Sequence, residues 1–290
     1  PKEVPSSEDE VSSIGEAGVQ DVEDVENVIE AEGEQTDWTN EKAENGSDEE
    51  IFSSEISEEN EIDLQLSTIA SGECGENVKW KLDTDGTLTI SGTGAMKDYG
   101  VPTGSISMTS AGPTPWLQTY NNLIRKIVVE EGVTRKGNGA FVCAGITISN
   151  YNSTGSVQSV SLPSTLKEIG DSAFWNTGCD SLIVPQNITE AACAFKMARF
   201  ENVTVNTVHV YKEMFYNSLV DNVILSNNVK EIENNAFENS FIKSIKLSSN
   251  LNKIGEESFS GGKLVTVEIP GNVKIIERQA FAGCTSLERV

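Results

Sequence analysis

From about residue 121 onward, apolar positions recur in a fixed frame. Five of seven copies share it with small lapses: an alternating apolar pair, an apolar residue four positions on, an Ile three further, and Ala-Phe or Ser-Phe at the end. The clearest copies are Ile245, Leu247, Leu251, Ile254, Ser258, Phe259 and then Val267, Ile269, Val273, Ile276, Ala280, Phe281. Earlier ones give Val223, Leu225, Val229, Ile232, Ala236, Phe237 and Val160, Leu162, Leu166, Ile169, Ala173, Phe174. Phe215, Phe237, Phe259 and Phe281 stand 22 residues apart, and Phe195 precedes the first by 20, Phe174 by 41 and Phe141 by 74. Self-similarity at a period of roughly 20 to 29 residues predicts a solenoid of stacked coils, each too small to bury its apolar face alone.

Within a coil, the alternating pair has period two and predicts a short strand. Stacking then places these strands side by side in a parallel sheet with a buried inner face. Pro163, Pro185 and Pro270 follow the pair directly and end the strand, because proline cannot donate to a ladder. The second half of each coil has helical rather than alternating spacing and is short. It predicts a single helical or 3₁₀ turn on the convex side, its Phe plugging the core. The copies ending at Phe195 and Phe215 are shortened, and the first copy (Ile127, Val129, Val133, Ala140, Phe141) carries Lys136 where the frame asks for Ile.

Upstream, Cys74–Leu82 alternates, Asp83-Thr84-Asp85-Gly86 turns the chain, and Leu88 and Ile90 alternate again. This is a β-hairpin, expected to cap the first exposed core face of the stack. The Gly/Pro/Ser/Thr stretch from Gly100 to Pro115 reads as a surface loop that ends at an anchoring Trp116. The expected organisation is therefore an acidic leader over 1–70, a hairpin module over 71–120 and a repeat region of about seven coils over 121–290.

Charge sharpens that division. Residues 1–70 hold 23 Asp/Glu and two Lys, a net of −21 within a whole-chain −24; the other 220 residues hold 22 acids and 19 bases, a net of −3. With only Trp38 and Phe52 as aromatic residues, the leader has too little apolar surface to offset the entropy of ordering it. It reads as a solvated, self-repelling linker, with an acidic interaction tail as the alternative. No basic patch exists to release counterions from phosphate, so nucleic acid is not an expected partner. No apolar run of ~18 residues exists, so no membrane span is expected. The sequence opens at Pro1 without Met and closes at Val290 inside a repeat; both ends read as processing boundaries.

Candidate chemistry is thin. His209 is the single histidine, so any Ser-His or Cys-His dyad would have to use it. It reads as a structural, solvent-accessible residue. Cys74, Cys143, Cys179, Cys193 and Cys284 match no metal or redox spacing. They read as buried thiols acting as small hydrophobes, the alternative being one disulfide. Asp83/Asp85/Gly86 lacks the further oxygen ligands of a calcium loop, and turn chemistry accounts for it. No catalytic residue, cofactor or metal site is expected.

The residues Leu264 to Phe281 read L-x-x-V-x-I-P-x-x-V-x-x-I-x-x-x-A-F, and Phe281 to Leu287 reads F-A-G-C-T-S-L. This pattern resembles the BspA-type leucine-rich repeat family. The stretch C-G-E-N-V-K-W-K-L-D-T-D-G-T-L-T-I-S-G-T-G-A-M from Cys74 to Met96, with Pro115-Trp116, is similar to the element that often precedes such repeats in bacterial surface proteins. The resemblance covers about 71–290. It departs at an insertion from Gly145 to Gly155, at the irregular copies around Phe195 and Phe215, and at Lys136. It implies a right-handed coil of short parallel strands, a secreted or surface-displayed protein, and adhesion to a protein or glycan on a host or neighbouring cell. It brings no catalytic residues, and fold does not fix the ligand.

Alternation directs one set of residues outward from the strand face. Ile183, Asn202, Thr204, Asn222, Ile224, Ser244 and Lys246 form its middle and offer an extended, nearly neutral surface. This set is the expected binding site, against the reading that these are merely soluble exteriors. The expected protein is a monomeric, non-catalytic adhesion or protein-binding module, extracellular or on the cell surface. The alternative is a targeting or scaffolding arm of a larger secreted enzyme.

Overall fold

A computed structural model describes residues 67–100, 114–144 and 157–289, all within one compact unit, Glu61–Val290. The expected leader therefore lies almost wholly outside the described residues, as do 101–113 of the expected surface loop and all of the Gly145–Gly155 insertion.

The hairpin forms as read and gains a strand. β2 (Val78–Asp83) and β3 (Thr87–Gly92) pair antiparallel, and β1 (Thr68–Glu73) adds to the outer edge of β2. β1 begins at Thr68, inside the segment assigned to the leader, because its sequence TIASGE carries no apolar alternation to announce it. The turn is closed by Gly86 N donating to Asp83 O, while Asp85 accepts from the Thr87 amide and hydroxyl at 2.9 and 2.8 Å. Both Asp85 bonds stay within the turn, as turn chemistry requires.

β3 then pairs in parallel with the first repeat strand, β5 (Lys126–Val129). The sheet continues through β7 (Ser159–Ser161), β9 (Gly178–Val184), β10 (Arg199–Val205), β12 (Leu219–Leu225) and β14 (Phe241–Lys246), nine strands in the order β1-β2-β3-β5-β7-β9-β10-β12-β14. Around the Ile position most coils add a second set of two- to four-residue strands, whereas the copy ending at Phe195 makes an isolated bridge there, Glu190 to Glu168. β4 (Gly94–Ala95), β6 (Val133–Lys136) and β8 (Glu168–Ile169) make one small sheet. β11 (His209–Val210), β13 (Glu231–Ile232), β15 (Lys253–Ile254) and β16 (Ile275–Ile276) make another. The sole α-helix among the described residues is α1 (Pro115–Tyr120), followed by a 3₁₀ turn at Asn121–Leu123.

Between the sheets runs a column of aromatic rings. Trp116, Phe141, Phe174, Phe195, Phe215, Phe237, Phe259 and Phe281 stack at centroid spacings of 5.1 to 5.6 Å. Inter-strand spacing of ~4.8 Å leaves each ring only a small offset from the next, the arrangement aromatic faces prefer over direct eclipse.

The Phe-bearing segments correct one expectation: they are turns, with no helical turn among them. Among the described residues, every non-glycine residue with positive φ lies two before or two after a column Phe. Ser172, Cys193, Glu213, Asn235, Glu257 and Gln279 make the first series, and Cys143, Asn176, Met197, Asn217 and Asn239 the second, with φ between 52° and 59°. This left-handed geometry aims alternate backbone N–H groups along the stack, while those between them close tight turns within the coil, as Ala173 N does to Gly170 O and Trp175 N to Ser172 O. Phe174 N donates to Ala194 O, Phe195 to Met214 O, Phe215 to Ala236 O and Phe237 to Ser258 O, at 2.8 to 2.9 Å. Buried backbone groups must be paired, and the next coil supplies the partner that a helix would have supplied internally.

A second correction concerns Val267 and Ile269. They form no ladder with β14; Val265 O and Val267 N bond instead to Glu288 N and Arg289 O on the far side. That leaves a groove of about 650 Å³ lined by Asn227, Ile245, Lys246, Leu247, Ser249, Glu268 and Pro270.

Candidate binding face

Parallel pairing in register converts the alternation of each strand into rows across the sheet. Leu182, Val203 and Val223 align inward and are buried, as do Val184, Val205 and Leu225. The residues between them form the outward rows. Ser181, Asn202, Asn222 and Ser244 are paired neighbours in one row, and Ile183, Thr204, Ile224 and Lys246 in the next. The structure thus brings all seven residues singled out from the sequence onto one face.

Their chemistry differs by row. The Asn222 side-chain amide donates to Asn202 Oδ1 at 3.1 Å, and Ser244 Oγ donates to Asn222 Oδ1 at 2.8 Å. These polar groups partner one another. Ile183 is 60 % exposed and Ile224 46 %, with half-buried Thr204 between them. Two strand spacings put the isoleucines ~10 Å apart. Lys246 closes the row at the rim of the groove beside β14.

Two further apolar residues share this face. Leu219 and Phe241 are paired neighbours at the start of β12 and β14, and Phe241 is 53 % exposed. Each stands one residue before the inward Val220 or Ile242, outside the alternating pair that defined the strands. Their signal was a large apolar residue where neighbouring copies carry Gly178 and Arg199. Between the apolar rows, Lys243 pairs with Asp221 at 2.7 Å, leaving Asp180 and Glu201 exposed beside them.

Elsewhere several charged side chains pair between coils. His209 is half-buried in β11, its Nδ1 3.6 Å from Glu231 and 3.3 Å from Glu233. Glu231 also pairs with Lys253 at 2.8 Å, and Lys253 with Glu277 at 3.3 Å. All five cysteines are free, with Cys74, Cys143 and Cys179 buried and Cys193 and Cys284 partly so. Cys193 lies 3.8 Å from both Lys196 Nζ and Glu213 Oε2, but burial pushes its thiol above the ordinary value, which disfavours the thiolate a nucleophile needs. Among the described residues no group of three or more His, Cys, Asp or Glu side chains is placed to hold a metal ion, and no helix is long and apolar enough to cross a membrane.

The family model for the BspA type leucine rich repeat region matches residues 119–212 and 208–290, with six copies. The chain belongs to this BspA-type leucine-rich repeat family. No curated protein matches it. Among solved structures, this BspA-type chain is similar to a leucine-rich repeat protein from Eubacterium ventriosum at 15 % identity, with 75 % of this chain and 95 % of that one covered and a TM-score of 0.27. A leucine rich cell surface protein from Faecalibacterium prausnitzii gives 14 %, 75 %, 87 % and 0.27, and a leucine-rich repeat protein from Bacteroides ovatus 14 %, 75 %, 87 % and 0.18. At those scores no site residue is transferred from them.

Proposed function

We propose that this BspA-type chain is a non-catalytic, secreted or surface-displayed module that binds a protein partner across its strand face. On this reading the repeats wind as a right-handed solenoid. The β1–β3 hairpin caps the first core face, with Val78, Trp80, Leu82, Leu88 and Ile90 buried, and the chain acts as a monomer. The observation that carries the reading is the exposure of Ile183 and Ile224 in one row, with Leu219 and Phe241 at the start of β12 and β14. Exposed large apolar residues grouped on one face, rimmed by polar ones, mark association surfaces, and stacked repeats let contacts from several coils add.

The test is adhesion of beads coated with the full chain to cultured epithelial cells. Ile183→Lys with Ile224→Lys is compared with Lys230→Glu and Lys274→Glu, which lie at the second sheet. The first pair should abolish capture and the second leave it unchanged. Capture lost with the second pair and kept with the first would refute the assignment of the face.

A further inference from the structure

Lys136 ends β6 at the position where the repeat frame asks for Ile, in register with Ile169 of β8. Its side chain has no exposed surface. Nζ lies 2.8 Å from the ring centroid of Phe174 and 3.7 Å from that of Phe141, wedged beside two consecutive rings of the aromatic column. Among the described residues the amine has no hydrogen-bond partner.

Among the described residues no carboxylate pairs with the amine. On the β9 side stands the Cys179 thiol, pushed by burial to about 12 and therefore neutral. The nearest charges along β6 and β8, Arg135 and Glu168, pair with each other at 3.0 Å at the surface. Stripping water from an ammonium costs more than contact with ring faces returns. Desolvation wins, and burial holds Lys136 well below the ordinary lysine value of 10.5.

We propose that Lys136 makes the seam between the first two repeats acid-sensitive: protonation expels the amine from beside Phe141 and Phe174 and parts the first repeat, with the hairpin strands joined to it, from the second. The backbone bonds Phe141 N to Ala173 O and Cys143 N to Trp175 O, both 2.8 Å, cross that seam and would open with it. The linkage has one sign. The unfolded chain binds the proton below 10.5, and the native chain only at its lower native value. The penalty on folding is therefore complete below the native value, shrinks as pH rises between the two and is absent above 10.5.

Thermal melts of the full wild-type chain, K136M and K136I from pH 6 to 10.5 test this, with hydrogen exchange at pH 6 to 8 corrected for intrinsic rates. Both variants should melt at least about 5 °C above wild type at pH 7, a gap that more than halves by pH 10.5. In wild type, protection of the Phe141 and Cys143 amides should fall with pH while that of Phe237 holds, and both variants should abolish this difference. A gap constant across pH, or wild type the more stable throughout, would overturn the proposal. So would uniform protection along the repeats, because a lysine acting only as a core filler would produce no pH-dependent local loss.

Discussion

At position 257 a glutamate sits at φ 52°, two residues before Phe259, in a conformation that L-residues occupy at a cost of roughly 1–2 kcal/mol. The same station is held by Ser172, Cys193, Glu213, Asn235 and Gln279, residue types with no common preference apart from asparagine. Local propensity does not select this geometry; the inter-coil bonds of the neighbouring Phe amides do. That is why the two left-handed columns were not legible in the sequence. In the station after Phe, Asn176, Asn217, Asn239, Gly261 and Gly283 carry a turn-former's signature, whereas Cys143 and Met197 do not. Glu257→Gly should leave the urea midpoint unchanged or raised, since relief of the left-handed cost offsets glycine's ~0.5–1 kcal/mol entropy penalty. Glu257→Val should lower stability by about 1–2 kcal/mol, because a β-branched residue tolerates positive φ poorly. Equal effects of the two would mean that the turn relaxes out of the left-handed region.

A repeat element works as a unit of one strand, one short Ile strand and one Phe turn. Its apolar period was readable because each inward station is filled by a residue that no solvated position would need. The strand phase could be read for the same reason: Ile183 and Ile224 point out where Leu182 and Val223 point in. β1 escaped notice because its pairing with β2 is backbone-driven, its residues mostly small. The strand expected at Val267–Ile269 was read from an intact motif, but its backbone bonds to residues 288 and 289 instead of to β14. Phe237, stacked at 5.3 Å on both Phe215 and Phe259, is the plainest probe of the phase. Phe237→Ala should cost about 3–5 kcal/mol in denaturant unfolding, through lost burial plus a cavity that adjacent coils cannot collapse. Lys246→Ala, at an exposed station, should cost less than ~1 kcal/mol. Similar costs would place the inward and outward stations wrongly.

On the scale of the whole molecule, the folded part is close to electrically neutral while its strand face is apolar in patches. Residue geometry identifies which rows are available for binding: the Asn202–Asn222–Ser244 row is hydrogen-bonded within itself, and the isoleucine row is not. The sequence could place those rows but not distinguish them, because the distinction rests on side-chain contacts across strands 20 and 22 residues apart. Association dominated by apolar anchors should be weakly screened by salt. The most direct measurement is photo-crosslinking of the full chain carrying benzoylphenylalanine at Thr204, between the two exposed isoleucines, or at Lys230 on the second sheet. Each protein is applied to the cells it adheres to, at 50 and 300 mM salt. The account predicts crosslinked cell-surface protein from position 204 alone, with little loss at the higher salt. Crosslinks from position 230 and none from 204 would contradict it.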